Sequence, residues 1–573
     1  MNTTLLSCVR LGLAVTAACS LFINKAAAQQ DNTSSSPVSI QVDFNKKKGP
    51  MKPIWAFFGY DEPNYTYMKD GKKLLTEISK LSKTPVNVRV HSLLVTGDGE
   101  AALKWGSTNA YTEDATGKPI YSWTIIDKIF DTYIERGMKP IAQIGFMPEA
   151  MSTHPEPYRH HWDPDLKHGD IYTGWAYPPK DYEKFATLVY EWVKHSVARY
   201  GKAEVESWFW ELWNEPDISY WKGTVEEYIK LYDYSSAAVK RALPTAKIGG
   251  PEVTGPSAPK AGAFMKAVLD HITSGTNYVT GKKGSPIDFI TFHAKGAPRL
   301  VNGMVQMNMG KQLRDIDKGF EIVASYPALK NLPIIIGESD PEGCAACSED
   351  FSPQNAYRNG TMYSSYTAAS FARKYDLAEN RGVNLHGAVT WAFEFENQPW
   401  FRGFRDLATN GVDKPVLNVF RMFGMMQGNR VETSKGAYDF LSIRDSSVRG
   451  AQPDINALAA RDEKSATVMV WNYHDNNDST APSSKVSVQL KGVPAGKALL
   501  KHYRIDRQHS NSYEAWKKMG SPRQPSAEQI KELEKAGQLH LLKSPQQINI
   551  KNNETTVDVD LPRQGVSLLQ LTW

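Results

Sequence analysis

The chain has 573 residues, of which 41% are hydrophobic and 23% charged, and its mean hydropathy is −0.45. This composition is that of a soluble globular protein, and the length predicts more than one domain. A net charge of +5 over so long a chain gives no electrostatic case for nucleic-acid binding.

The N-terminus resembles a secretory signal peptide. Arg10 precedes the apolar run LGLAVTAACSLFI (Leu11 to Ile23), which leads to the small residues Ala26, Ala27 and Ala28. We therefore predict a signal peptide at residues 1–28 and a secreted or periplasmic protein. A lipoprotein signal at Cys19 fits less well, because Thr16 stands where a branched aliphatic residue is expected. The apolar run is too short for a permanent membrane span, and we predict no other span.

Short apolar segments then alternate with longer amphipathic ones, which is typical of repeated βα units around a parallel sheet. The predicted strands begin at Ile54, Val86, Lys139, Trp208, Lys247, Asp288, Pro333 and Ala388. Between them, IIDKIFDTYIERG and DYEKFATLVYEWVKHSVARYG have helical periodicity, and Gly201 caps the second of these helices. Eight strands are the number that closes a (β/α)8 TIM barrel, which we predict over residues 51–415.

Downstream of residue 415 the pattern becomes that of a β-sandwich, which we predict over residues 416–573. Strands alternate polar and apolar residues in SATVMVWNYH, KVSVQL, KALLKHYRI, TTVDVDL and VSLLQLTW, and the helix-like segment PSAEQIKELEKAG interrupts them. Residues 29–50 are predicted to form a linker and the strand VSIQVDF, which joins this sandwich. The fold class is therefore α/β, a TIM barrel with an attached C-terminal β-sandwich.

Two predicted strands end in carboxylates. The fourth runs into Asn214 and Glu215, and the seventh ends in Glu338. Strand ends meet at the C-terminal face of a TIM barrel, where such enzymes place their chemistry. Glycoside hydrolysis needs two carboxyl groups facing one sugar, one as a proton donor with a raised pKa and one as an attacking carboxylate.

Polar and aromatic residues at other strand ends fit the same site. We predict substrate-binding roles for Arg89 and His91 (second strand), His293 and Lys295 (sixth strand), and Trp391 and Glu394 (eighth strand). Glu396 follows within reach of the same mouth. Each also has a structural interpretation: Arg89 as an interior ion pair, His293 as a satisfied core histidine and Trp391 as core packing. Their common position at strand ends favours a site.

These motifs resemble glycoside hydrolase family 39. WNEPD and GESD resemble the family's strand-four and strand-seven elements, and the likeness extends through YSWTIIDKIFDTYIERGMKPIAQIGFMPEA and RIDRQHSNSYEAWKKMGSP. The resemblance covers nearly all of the chain after the signal peptide. It implies that Glu215 is the general acid/base, that Asn214 orders the sugar 2-hydroxyl and that Glu338 is the nucleophile.

The substrate has two interpretations within that family. FMPEA and the bacterial-style signal peptide favour a β-D-xylosidase, whereas GTNYVTGKKGSPIDFITFHAKGAP and ESDP resemble the α-L-iduronidases. Their glycosides differ by a carboxylate on C5, which a cation at Lys295 would meet. Lys295 as a solvated loop lysine is the structural interpretation. We predict a β-D-xylosidase, with an iduronidase-like uronidase as the alternative.

Two further segments suggest other chemistry. After the signal peptide, Cys344 and Cys347 are the remaining cysteines. Such a pair could be a loop disulfide, a redox site or two free thiols, and we favour the disulfide or the free thiols because nothing else in the chain supports a redox role. RHHWDPDLKH (159–168) contains histidines and acids, but their spacing matches no helix-borne ligand pair, and we predict a substrate-facing loop and no metal. Two-carboxylate hydrolysis needs no cofactor.

The sequence therefore predicts a retaining exo-glycosidase that acts on an oligosaccharide or a polysaccharide fragment. A barrel that binds carbohydrate without catalysis and an endo-acting hydrolase are the alternatives. The oligomeric state is not given by the sequence.

Overall fold

The computed structural model describes residues 37–154, 175–434 and 436–573. The predicted signal peptide and the segment 159–168 lie outside the described residues. Residues 37–573 form one compact unit. None of the described helices has the length and apolarity that a membrane span requires.

The predicted TIM barrel is confirmed. Its parallel strands are Phe57–Tyr60, Asn87–Val90, Lys139–Ile144, Phe209–Leu212, Lys247–Val253, Phe289–His293, Ile334–Glu338 and an eighth strand in two pieces, Leu385–Ala388 and Thr390–Trp391. The first piece pairs with Ile334–Glu338 and the second with Phe57–Tyr60, so the eighth strand closes the barrel between the seventh and the first. The ends of all eight strands therefore surround one mouth.

A helix follows every barrel strand. In chain order these helices are Lys69–Ile78, Thr124–Ile134, Tyr182–Tyr200, Val225–Ala242, Pro259–Ser274, Met309–Ala324, Thr361–Arg381 and Pro415–Met425. The two helices predicted from periodicity are among them. Gly201 ends Tyr182–Tyr200 with a φ of 86°, a conformation that favours glycine, as its predicted capping role requires.

The last helix lies beyond the predicted end of the barrel. Phe420 of Pro415–Met425 packs edge-on against Phe58 of the first strand at 5.0 Å between ring centroids, and Phe423 stacks on Trp55 at 6.4 Å. The helical layer of the barrel thus continues past residue 415.

The remaining chain builds a ten-stranded sheet. Its strands are Val38–Pro50, Asn429–Thr433, Asp454–Arg461, Ser465–Tyr473, Ser484–Lys491, Gly496–Ile505, His540–Leu541, Gln546–Ile550, Glu554–Leu561 and Val566–Thr572. Val38–Pro50 lies inside the sheet, parallel to Ser484–Lys491 and antiparallel to Asn429–Thr433. Side chains from both halves of the sheet, such as Val42, Val488 and Leu569, share one buried core, which is the packing of a sandwich.

Smaller elements complete the fold. They are the helices Lys202–Val205, Phe440–Ser446, Ser512–Lys518 and Ala527–Gly537, the 3-10 turns Pro63–Tyr65, Glu149–Met151 and Pro353–Asn359, and the strand pairs Tyr111–Glu113 with Pro119–Tyr121, Arg299–Val301 with Met304–Gln306, and Ala408–Thr409 with Val412–Asp413. The barrel meets the sheet through the helix Thr361–Arg381, where Arg373 donates to the Asp454 carboxylate at 3.0 Å.

Candidate active site

The fourth strand delivers Glu215 to the barrel mouth by leaving its regular path. The strand ends at Leu212, and both Trp213 and Glu215 then take positive φ angles of 66° and 43°. Non-glycine residues adopt this conformation at an energetic cost that surrounding contacts must offset. The Trp213 indole donates to the Tyr220 carbonyl at 2.8 Å, and the Glu215 amide donates to the Glu252 carbonyl at 2.9 Å. These bonds turn the Glu215 carboxyl toward the barrel axis.

The seventh strand places Glu338 opposite. Glu338 is in register with His293 on the sixth strand, and its carbonyl accepts the Ala294 amide at 2.9 Å. Both carboxyl groups are buried, with Glu215 7% and Glu338 3% exposed. A carboxylate oxygen of Glu215 and one of Glu338 lie within 4.8 Å of each other and of a ring nitrogen of His293. The two residues that the sequence singled out thus face each other across one pocket.

Lys295 lies between the two carboxylates. Its ammonium nitrogen is 2.5 Å from Glu338 Oε2 and 3.2 Å from Glu215 Oε1. Burial opposes the charge of Lys295, but the two carboxylates outweigh burial and raise its pKa. A solvated loop lysine, the structural interpretation of this residue, is therefore excluded.

His293 links the fourth, fifth and seventh strands. Its Nδ1 lies 2.8 Å from Glu215 Oε1, and its Nε2 lies 2.6 Å from Glu252 Oε1. Burial alone would lower the pKa of His293, but the charges of Glu338 and Glu252 raise it to about 9. The imidazole therefore carries a proton at neutral pH and donates to both carboxylates.

Arg89 forms the floor of the pocket. It is fully buried, donates to Glu211 Oε2 at 2.5 Å and to Asn214 Oδ1 at 3.1 Å, and lies 3.6 Å from Glu338 Oε1. Arg89 therefore forms the interior ion pair of its structural interpretation, with Glu211, and also contacts the site through Glu338. Burial raises the pKa of Glu211 to about 8, against the opposing charge of Arg89. Arg89 also fixes the side chain of Asn214.

His91 and Trp391 form another wall with Asp61. His91 Nε2 lies 3.3 Å from Glu338 Oε1 and 3.4 Å from Asp61 Oδ1. The Trp391 indole donates to Asp61 Oδ1 at 3.1 Å, and its ring lies 4.5 Å from the His91 ring. Trp391 is 1% exposed, so most of the ring packs against its neighbours, including the backbone of Gly59.

Glu394 is not brought to this cluster. It is buried and accepts a hydrogen bond from the Gly411 amide, beside Asp70 and Asp406. Burial raises its pKa well above the ordinary value. Glu396 likewise accepts from the Asp70 amide at 2.8 Å. The chain after Trp391 turns toward the hairpin at 408–413, so proximity in sequence does not place these two carboxyls in the pocket.

Three acids of the cluster were not among the predicted site residues: Asp61, Glu211 and Glu252. Glu252 is fully buried and contacts both His293 and Arg89, the latter at 3.2 Å. It stands near the end of the predicted strand KIGGPE, so the strand-end rule that found Glu215 would also have found Glu252. Glu211 lies inside a strand, where no such signal exists.

The pKa values describe the resting state of the pair. Burial would raise the pKa of Glu338, but the charges of His293 and Lys295 hold it well below the ordinary value. Burial likewise opposes the shift of Glu215, and Lys295 and His293 lower its pKa to about 2. The expectation of a proton donor with a raised pKa is therefore wrong for the sugar-free protein, because the nearest charges are positive.

Among the described residues, two trios could geometrically hold a metal ion, namely Asp61, His91 and Glu338, and Glu215, His293 and Glu338. The second trio uses a histidine whose pKa is raised, whereas a metal ligand must be a neutral imidazole. Lys295 also already pairs with both carboxylates of this second trio. The donor set of the second trio therefore fits a network of protonated cations better than a metal.

The loop after Glu338 is held rigidly. Cys344 and Cys347 form a disulfide with Cα atoms 5.5 Å apart. Of the predicted alternatives, the structure therefore contains the loop disulfide. Buried Arg358 donates to the carbonyls of Cys344 at 2.7 Å and Gly403 at 3.0 Å. Gly343 of this loop lies against the end of the Lys295 side chain. The disulfide-bonded loop therefore lies beside the pocket.

Paired carboxyl groups at the mouth of a TIM barrel are the arrangement that a glycoside hydrolase uses. The family model for glycosyl hydrolases family 39 matches residues 38–551, and the chain belongs to that family.

The relatives include β-xylosidases and α-L-iduronidases. The chain is 30% identical to a β-xylosidase of Caldicellulosiruptor saccharolyticus over 78% of its own length and 83% of that protein. It is 25% identical to the α-L-iduronidase of Mus musculus, over 87% and 75% of the two chains. The fold matches a monomeric β-xylosidase from Caulobacter crescentus CB15 with a TM-score of 0.71 and 21% identity, over 93% of this chain and 99% of that one.

Proposed function

We propose that the protein is a retaining exo-glycosidase that releases a terminal xylo-configured sugar, with β-D-xylosides as its substrates. The observation that carries the mechanism is the approach of Glu215 and Glu338, whose carboxylate oxygens come within 4.8 Å. Retaining glycosidases hold their carboxyl groups about 5–5.5 Å apart, and inverting ones leave about 6.5–9.5 Å for a water. The 30% identity to a β-xylosidase supports the choice of sugar.

The reaction then has two displacements. In the first, a Glu338 oxygen attacks the anomeric carbon, the glycosidic bond breaks, and the departing oxygen takes the proton of Glu215. In the second, Glu215 accepts a proton from water, the water oxygen attacks the anomeric carbon, and the bond to Glu338 breaks. The low pKa of Glu338 keeps the nucleophile ionised. Glu215 thus regains in the second displacement the proton that it gave up in the first.

Resting Glu215 is ionised, so it must take up a proton from water when the sugar binds. Lys295 occupies the space between the carboxylates, so a sugar ring that enters there displaces its ammonium group. Losing that charge removes the largest influence that lowers the pKa of Glu215, and burial then favours the protonated acid. In this mechanism the substrate itself switches Glu215 to its acid form.

Azide rescue tests the two roles. We expect Glu338→Ala to lose nearly all turnover of an aryl β-xyloside and to regain part of it with sodium azide, giving the α-xylosyl azide by direct attack. Glu215→Ala should still cleave 2,4-dinitrophenyl β-xyloside, whose leaving group needs no proton, and should give the β-xylosyl azide. Nuclear magnetic resonance distinguishes the two anomers. Near-normal rates in both variants, or the same azide anomer from both, would reject the assignment.

An α-L-iduronidase-like activity is the second candidate, and the position of Lys295 favours it. A partly buried ammonium group beside both carboxylates is suitably placed to meet a C5 carboxylate on the sugar. The test compares an aryl β-xyloside with an aryl α-L-iduronide on the wild type and on Lys295→Ala. Loss of uronide turnover alone would assign Lys295 to carboxylate recognition, whereas a wild type that cleaves only the xyloside would exclude this candidate.

A further inference from the structure

A second cavity lies between the barrel and the inserted helices of the sandwich domain. It has a volume of about 890 Å³, within the range of about 300–1,000 Å³ that is usual for ligand sites. The barrel contributes Asp70, Asp350 and the segment 397–402, and the insertion contributes Trp516 and the segment 521–524. None of its lining residues belongs to the carboxylate cluster. It is therefore a separate site.

The cavity stands at the rim of the same barrel face as the carboxylates. Asp350 belongs to the loop after the seventh strand, and Trp400 to the loop after the eighth. The Glu349 amide donates to the Arg402 carbonyl at 2.7 Å, which joins these two loops. The cavity is therefore lined by loops that follow the strands bearing Glu338 and Trp391.

Two tryptophans form its apolar surface. Trp400 and Trp516 both pack on buried Phe401, at 6.4 Å and 5.2 Å between ring centroids, and both remain partly exposed. The Trp516 ring is fixed by stacking on Tyr513 and by an indole hydrogen bond to the Pro522 carbonyl at 3.0 Å. Rigid aromatic faces that stay exposed at low entropic cost suit stacking on flat apolar ligand surfaces.

Polar side chains around these rings are free to bind. In the part of the chain that the structure describes, the side chains of Asn397, Arg523 and Gln524 make no hydrogen bond or ion pair, whereas Arg402 pairs with Asp350. Amide and guanidinium groups offer the donors and acceptors that the hydroxyl groups of a sugar require. Aromatic faces with such groups around them are the chemistry of carbohydrate recognition.

We propose that this cavity is a second carbohydrate site, which holds an oligosaccharide chain of the substrate by stacking on Trp400 and Trp516. Asn397 and Gln524 bind its hydroxyl groups, and Arg523 binds a hydroxyl group or a uronate carboxylate. The class of ligand follows from membership of a glycoside hydrolase family, and only the choice of xylose-based probes rests on the proposed function.

Calorimetric titration tests the site in the full chain. In a Glu338→Gln background, which prevents turnover, we expect xylohexaose or a glucuronic acid-substituted xylo-oligosaccharide to bind at least tenfold more weakly when Trp400→Ala or Trp516→Ala is added. Arg523→Ala should weaken only the acidic probe if the guanidinium meets a carboxylate. Tyr278→Ala, which removes another partly exposed aromatic ring, is the control and should change nothing.

Binding within twofold of the parent for both tryptophan variants, or no binding of either probe, would overturn the proposal. Gln524→Ala and Arg523→Ala change exposed side chains and keep the test valid if a tryptophan variant unfolds. In the wild-type background, Trp400→Ala should leave kcat/KM on a small aryl xyloside unchanged within twofold. Because binding is measured without turnover, a failure of the second-site proposal can be distinguished from a failure of the proposed activity.

Discussion

At the scale of single residues, the pocket is governed by positive charge placed between acids. Lys295, His293 and Arg89 all lie within 4 Å of Glu338, which explains why both members of the carboxylate pair are ionised in the free protein. Buried ion pairs of this kind contribute little net stability, because desolvation offsets the attraction. Their value here is that they set the protonation of Glu215 and Glu338.

The pH profile of a lysine variant tests this electrostatic account. Lys295→Met removes a charge that lowers both pKa values, so both should rise. The acid limb of kcat/KM reports the ionised nucleophile and the alkaline limb the protonated acid, so both limbs should move to higher pH. Lys222→Met, which removes an exposed lysine over Tyr177, is the control. An unchanged profile in Lys295→Met would contradict the account.

The sequence predicted the site unevenly at this scale. Glu215 and Glu338 were predictable because an acid at the end of a buried strand is costly to desolvate. A catalytic site at the mouth of a barrel explains why acids stand there. The protonated state of His293 was not, because it depends on Glu252 from another strand. Glu394, in contrast, was predicted at the site but lies outside it, because the backbone after Trp391 turns away from the mouth. The register between neighbouring strands decides which of their side chains come together, and the sequence of a single strand does not specify that register.

At the scale of elements, the seventh strand is fitted closely to the fifth. A Cβ atom on Gly337 would meet the carboxylate of Glu252, which itself binds His293 and Arg89. Glycine at this position therefore lets Glu252 lie under the carboxylate pair. Any larger residue must displace the cluster or the strand.

A single methyl group tests that fit. We expect Gly337→Ala to lower the free energy of unfolding by about 1–3 kcal/mol through overpacking, and to reduce turnover as the cluster shifts. Gly343→Ala is the matched control, since its nearest neighbouring atom would lie at 3.8 Å, an ordinary contact. Urea unfolding measures both variants. Equal stability of Gly337→Ala and the wild type would show that the strands are less tightly fitted.

Element prediction succeeded where the pattern was periodic. All eight barrel strands and both helices chosen by periodicity are present, but the pattern concealed the break in the eighth strand at Val389. The strand Asp454–Arg461 was missed. It is rich in alanine and buried on both faces, so neither β-propensity nor alternation marks it.

At the scale of the whole molecule, the first and last described strands lie in one sheet. Val38–Pro50 lies between strands that begin at Ser484 and Asn429, so residues next to the N-terminal segment complete a domain built mostly from the C-terminal third. Val42 is fully buried in the core of that sheet. We therefore expect the sandwich to depend on this strand. The predicted domain bounds remain a prediction.

Substitutions on the two faces of this strand test its role. Val42→Asp buries an unpaired carboxylate, and we expect a loss of more than about 4 kcal/mol in stability, measured by thermal unfolding. Gln41→Asp changes the exposed neighbouring residue and should stay within about 0.5 kcal/mol of the wild type. Similar effects of the two variants would mean that the strand is dispensable.

Trapping the covalent intermediate tests the central proposal most directly. A 2-deoxy-2-fluoro β-xyloside with a good leaving group should inactivate the enzyme by forming a stable bond to the nucleophile. Peptide mass spectrometry should then find the added fluorosugar on Glu338, and the label should be absent from Glu338→Gln. A label on Glu215 or on any other residue, or turnover without any labelled intermediate, would contradict hydrolysis by this carboxylate pair.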